Sequence, residues 1–187
     1  IARTVAEFSE ANGGLFRYED FAEYSVKVEE PVSVDYRGYQ VYKIPSATQG
    51  PAELFTLGIL RGYDLKEMRH NSADYIHTSV EAVKLAFADR EVFLADADFV
   101  TIPFASLLSE PYWAARRKLI HPEKASNDFR PGSLEGVPFK GSFRIPLAGD
   151  ADHEGDTSYL AVVDRDRNAV SFTPSLHSGW GAGIVMA

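Results

Sequence analysis

The 187-residue chain is 45% hydrophobic, 12% aromatic and 25% charged, which supplies a sizeable core and excludes a disordered composition. Acidic residues (27) outnumber basic ones (19), and the net charge of −8 disfavours nucleic acid and anionic membrane as partners, because phosphate recognition needs a basic face. No cysteine is present, which removes disulfides, thiolate metal sites and a cysteine nucleophile together, and no run of about 18 apolar residues exists to span a bilayer.

Residues 1–12 put Ile1, Val5 and Phe8 on one helical face, and Asn12-Gly13-Gly14 supplies a C-terminal stop. A short acidic helix is expected over 18–24. Alternating valines over 25–44 predict strands, two of them separated by a turn at Asp35-Tyr36-Arg37-Gly38. Gln49-Gly50-Pro51 opens a helix that buries Leu54, Leu57 and Leu60 or Phe55 and ends near Gly62. Asn71-Ser72 caps a longer helix, whose expected apolar stripe is Tyr75, Ile76, Val80, Val83, Phe87 and Phe93 at three- and four-residue steps. Leu107, Leu108, Tyr112, Trp113, Leu119 and Ile120 mark further short helices.

Composition changes at Pro122. From there to Asp156 the chain is rich in Pro, Gly, Ser and charge, and reads as a flexible linker or functional loop. It gives way to a strand from Thr157 to Asp164, a turn over Arg165–Asn168 and a second strand from Ala169 to Ser175, a hairpin pattern. The chain opens at Ile1 in helical periodicity and closes on Met186-Ala187 in an apolar Gly-rich stretch. The expectation is a fragment of a longer polypeptide, with no targeting signal legible and the compartment open.

The junction Gly155-Asp156-Thr157 is where chemistry is most readily placed. A threonine hydroxyl is a weak nucleophile that needs a neighbouring base. If the bond before Thr157 is cut, the new α-amine, with an ordinary pKa of roughly 7.7–8.0, becomes that base on the same residue. Spacing alone favours an ordinary strand-opening threonine.

The run DTSYLAVVDRDRNAVSFTPSLHSGWGAGIV resembles the start of the small subunit of the γ-glutamyltransferase family. GGLFRYEDFAEYSVKVEEPVSVDYRGYQVYKIPSATQGPAELFTLGIL and the helix carrying Ala86-Phe87-Ala88-Asp89-Arg90 are similar to upstream blocks of that family, in the same order. The resemblance implies part of an α/β (α+β) N-terminal-nucleophile hydrolase, an αββα sandwich made as one precursor and cut autocatalytically. On that reading Thr157 is the catalytic threonine and the bond after Asp156 is the processing site. Residues 1–156 then form the end of the large subunit, with 122–156 as the linker, and 157–187 open the small one. Ser175 falls where the family has a threonine that hydrogen-bonds the nucleophile. His177 falls where γ-glutamyltransferases carry an Asn that contacts the substrate α-amino group.

Departures bear on specificity: Tyr159 replaces a His, Arg167 the turn Gly, and Trp180 the Phe before Gly181 and Gly183, while Pro174 precedes Ser175. The implied reaction is acyl transfer from glutathione or another γ-glutamyl amide to water or an amine, without cofactor or metal. A cephalosporin-acylase-like amidohydrolase is the second reading. An unprocessed, non-catalytic partner-binding unit is the third. The family's carboxylate-gripping Arg and serines, and its oxyanion-hole Gly-Gly pair, belong to segments not among these residues, so this chain alone is expected to be inactive and to need the remaining large- and small-subunit segments as partners.

Other patterns are weaker. Asp150-Ala151-Asp152-His153-Glu154-Gly155 imitates an EF-hand start, but position twelve is Ala161 where a bidentate Glu is required. Asp164-Arg165-Asp166-Arg167-Asn168 suits a turn. The histidines (70, 77, 121, 153 and 177) show no zinc spacing, with His77 read as a packed or surface residue. Arg116-Arg117-Lys118 beside Trp113 is expected to be a solvated helix face.

Overall fold

Glycines and serines mark several of the element ends. The computed structural model describes residues 1–45, 48–134 and 156–176. These fall into two compact units, one of residues 1–27 with 146–187 and one of residues 28–145.

In the first unit, α1 (Ala2–Ala11) is followed by α2 (Tyr18–Ala22). Gly13 takes a φ of 73° after α1. Its N–H reaches Glu10 O and the Gly14 N–H reaches Ser9 O at 2.7 Å, the paired bonds that satisfy the last carbonyls of a helix. The same unit holds the C-terminal strands described below.

The second unit begins with β1 (Val32–Tyr36) and β2 (Tyr39–Lys43), antiparallel with Tyr36 opposite Tyr39. Both turn residues, Arg37 (φ 55°) and Gly38 (φ 85°), are left-handed, as a two-residue hairpin following the sheet twist demands. Residues 25–31 form no strand, although their valines alternate, and Val26 and Val28 are exposed. Helix α3 (Gly50–Leu60) carries Pro51 in its first turn and is buried along most of its length. It packs on both strands, on α4 (Ala73–Phe93) and on α6 (Glu110–Arg117), with the short α5 (Phe104–Leu107) between the latter two in sequence. The α3–α6 contact is close because Gly58 has no side chain: a Cβ there would lie 2.2 Å from Trp113 Cε2. Trp113 is buried and its indole N–H donates to Leu107 O at 2.9 Å.

Ser72 caps α4 by accepting from Tyr75 N–H at 3.1 Å. The buried side of α4 is not the expected stripe. Thr78, Glu81, Ala82, Leu85, Ala86, Ala88, Asp89 and Phe93 face inward, while Ile76, Val80, Val83 and Phe87 are 40–50% exposed. Only Phe93 of the stripe lies in the core. Alanines at 82 and 86 let the helix approach α3 closely, and two ion-paired acids take the place of large apolar groups.

Candidate active site

The C-terminal strands form one hairpin in two ladders. Strand β4 (Leu160–Val163) pairs with β5 (Ala169–Phe172), and β3 (Asp156–Thr157) pairs with β6 (Ser175–Leu176). Register is unbroken between them, from Val163↔Ala169 to Thr157↔Ser175. The ladder lapses at Pro174, which has no N–H to donate, and Ser158 N–H bonds to Pro174 O at 3.1 Å.

The turn that sets this register is built by Asp164. Its carboxylate accepts from the Asp166 and Asn168 N–H groups, each at 2.9 Å, and from Asn168 Nδ2 at 2.8 Å. These bonds, that of the Asn168 side chain first, hold the Asp164 carboxyl below the usual range. Arg167 closes the turn with a φ of 65°, giving a three-residue loop with a left-handed last member.

Counting back from that turn brings Ser175 opposite Thr157, and their hydroxyl oxygens lie 2.9 Å apart in a hydrogen bond. Both residues are exposed. The two residues expected to be catalytic, 18 apart in sequence, are thus in direct contact. Tyr159 is exposed, and its hydroxyl accepts from Ser171 Oγ at 3.4 Å. For Asp156 the structure describes the strand pairing alone. His177, Trp180, Gly181, Gly183 and the acidic run 150–155 lie outside the described residues.

A second concentration of polar groups, unforeseen in the sequence, lies within the 28–145 unit. Glu81, Asp89 and Arg116 are buried there, at 1%, 0% and 3% exposure. Arg116 Nε donates to Asp89 Oδ2 at 3.0 Å and its Nη2 to Leu85 O and Arg130 O. Arg130 Nη2 donates to Glu81 Oε2 at 2.7 Å, and Lys84 Nζ to Glu81 Oε1 at 2.5 Å. Burial alone raises the Glu81 carboxyl, but Lys84, Arg130 and the Ser126 N–H together hold it below its ordinary range. Burial pushes Asp89 up, against the pull of Arg116 and the Gly132 N–H, and burial beside Asp89 raises the Tyr112 hydroxyl. The available signal was the pair of acids eight residues apart on one helical face, with arginines downstream.

The basic run 116–118 is therefore a solvated face only at Lys118. Arg116 is in the core, and Arg117 Nη1 donates to Gly58 O at 3.0 Å, one of the free carbonyls ending α3. His77 Nε2 is 2.7 Å from His121 O, a bond to backbone. Among the described residues no helix is long and apolar enough to cross a membrane.

The geometry invites comparison with known proteins. The family profile of gamma-glutamyltranspeptidase matches residues 1–187. A glutathione hydrolase proenzyme of Escherichia coli (strain K12) is 37% identical over 188 residues, covering 99% of this chain and 30% of that protein. An acylase ACY 1 proenzyme of Pseudomonas sp. (strain SE83) is 33% identical over 185 residues, covering 98% of this chain and again 30% of the relative. The crystal structure of Helicobacter pylori γ-glutamyltranspeptidase superposes with a TM-score of 0.66 at 29% identity, covering 76% of this chain and 41% of that one. The chain spans about 30% of the length of the curated relatives it matches. The helices and antiparallel strands seen here are accordingly part of a larger α+β fold. With the profile matched from end to end, the chain belongs to the γ-glutamyltranspeptidase family.

Proposed function

We propose that the whole protein is an acyl-transfer enzyme that cuts itself before Thr157 and then uses Thr157 as its nucleophile. The observation that carries this reading is the 2.9 Å contact between Thr157 Oγ1 and Ser175 Oγ at the start of the hairpin. In processing, Thr157 Oγ attacks the Asp156 carbonyl carbon and the peptide nitrogen leaves as the α-amine, giving an ester. Water then releases the Asp156 carboxylate and regenerates the hydroxyl. Residues up to 156 end the large subunit and those from 157 begin the small one.

In turnover, Thr157 Oγ attacks the amide carbonyl of a γ-glutamyl donor such as glutathione. The α-amine takes the hydroxyl proton and passes it to the leaving amine, and the acyl-enzyme goes to water or an amine acceptor. Ser175, bonded across the ladder, holds Oγ in attacking direction, a positioning role. The donor, the acceptor and the remaining subunit segments are the partners this chemistry requires.

Intact mass of the whole protein tests the reading. Two pieces, one beginning at Thr157, are expected for wild type, a single chain for Thr157→Ala, and slower cutting for Thr157→Ser. Cleavage of Thr157→Ala at the same bond assigns the cut to an outside protease and overturns the proposal.

The similarity to an acylase supports a second substrate reading, a glutaryl or related acyl amide on the same machinery. On either reading His177 contacts the acyl group. His177→Asn is expected to shift the rate ratio between a γ-glutamyl anilide and a glutaryl amide toward the former; an unchanged ratio puts His177 outside the acyl pocket.

A further inference from the structure

Residues 125–133 have no helix or strand pairing of their own, yet they are held in place by side chains of α4 and α6. The Ser126 N–H donates to Glu81 Oε1 at 3.2 Å, and Lys84 Nζ donates to Ser126 O. The Gly132 N–H donates to Asp89 Oδ1 at 2.6 Å. Between these two points Arg130 turns its guanidinium inward to Glu81 and to Leu119 O at 2.6 Å, while its carbonyl accepts from Arg116. Gly132 fits because it has no side chain: a Cβ would lie 1.9 Å from the Tyr112 hydroxyl oxygen. Leu134 then packs on the core cluster of Leu54, Phe55, Phe93 and Trp113.

An irregular segment normally satisfies its backbone with water. Here two carboxylates buried to 1% and 0% exposure accept from its amides, and burying an ionised carboxylate costs enough that each must be fully partnered. Breaking the segment away would leave Glu81 without Arg130 and Ser126, and Asp89 without Gly132. The acids and the segment therefore stay together or are lost together.

We propose that Glu81 and Asp89 form an internal dock for residues 126–132, which keeps the C-terminal arm of the large subunit bound after the chain is cut. This rests on cleavage at the 156–157 bond. The arm created by the cut is then anchored at Gly132 and Leu134. The dock's occupant is a segment of the same chain, matched to it by two N–H donors and one guanidinium.

Hydrogen exchange on the whole protein, wild type and uncut Thr157→Ala, reads the dock directly. The Ser126 and Gly132 amides are expected to exchange at least 100-fold more slowly than an unstructured peptide, both before and after cleavage. Glu81→Met is expected to speed Ser126 exchange at least tenfold while α3 amides change less than threefold, and Glu81→Gln, which keeps one acceptor, to recover part of the protection. If the Met variant does not fold, the Gln variant decides by a severalfold increase at Ser126 with α3 unchanged; no increase at Ser126 overturns the dock. Equal acceleration of α3, α4 and residues 126–132 reduces the carboxylates to a purely structural role. Loss of protection on cleavage of wild type overturns retention alone. A wild-type protein that remains one polypeptide overturns the cleavage reading and the retention that rests on it, while protection in that uncut chain still reports the anchor.

Discussion

A hydroxyl pair such as Thr157 and Ser175 has value only if its geometry is kept through the transition state. Replacing Ser175 by Ala in the whole enzyme is expected to lower kcat by about 10–100-fold with a smaller change in KM, because orientation is felt mainly in the transition state. Steady-state kinetics on a γ-glutamyl anilide checks this, and an unchanged kcat removes Ser175 from the mechanism. Arg167 is the residue under strain nearby, with a φ of 65° where a side chain is disfavoured. The left-handed conformation costs about 1–2 kcal/mol for residues with a Cβ, and glycine's extra unfolded-state freedom returns part of that. Arg167→Gly is therefore expected to stabilise the hairpin by about 0.5–1 kcal/mol, read as slower amide exchange at Val162 and Val170, whose N–H groups face the partner strand. Of these residues, the pairing of Thr157 with Ser175 was legible because hairpin counting needs only the turn and period-two alternation, whereas the roles expected of them came from the family resemblance alone. The φ of Arg167 was not, since arginine carries no turn signal and only comparison with a glycine-bearing family marks the position.

At the scale of elements, α3 and α6 meet through a missing side chain. Gly58→Ala puts a methyl 2.2–2.5 Å from the Trp113 ring and is expected to cost about 1–3 kcal/mol, visible as a fall in the denaturation midpoint. The acids of α4 give the unit a dependence on pH with two opposing signs. Glu81 has its folded pKa depressed, so its stabilisation is present above the unfolded value of about 4.3 and is lost as pH falls through the folded value. Asp89 has its folded pKa raised, so folding binds a proton there and its contribution grows more favourable as pH falls. The stability gap between wild type and Glu81→Gln is expected to be widest above about pH 5 and to narrow below about pH 4. Thermal melts across that range decide it, and a pH-independent gap means that the Glu81 carboxyl has the same pKa in the folded and unfolded chain. The start and cap of α4 were readable from Ser72, but its inward face was not. Periodicity counts large apolar residues, and here alanines and neutralised acids turned inward while Ile76, Val80, Val83 and Phe87 stayed exposed.

For the molecule as a whole, the match to relatives more than three times its length fits with surfaces that a finished fold would not leave open. Residues 1–187 prepared alone are expected to release no anilide from a γ-glutamyl substrate above background, even with Thr157 intact, because the oxyanion donors implied by the family lie elsewhere. Measurable turnover by this chain alone would show that its own residues supply them. The order of elements from α1 to the hairpin was legible because several of them are bounded by a Gly, Pro or Ser with a distinct backbone role, as at Gly13, Gly38, Pro51 and Ser72. The linkage of 126–132 to α4 was not, since it depends on pairs such as Glu81 and Arg130 that local pattern cannot join.

The exposed hairpin has a practical consequence. Leu160, Val162, Val170 and Phe172 lie on one face, Val163 on the other, and all are 46–67% exposed. Ser158–Val163 is a six-residue stretch without charge or proline, the composition from which steric zippers assemble. Prepared without the segments that complete its fold, the chain is therefore a candidate for fibril growth through this edge. A lysine at Val163, on the face with fewer large side chains, is the simplest gatekeeper to keep it in solution.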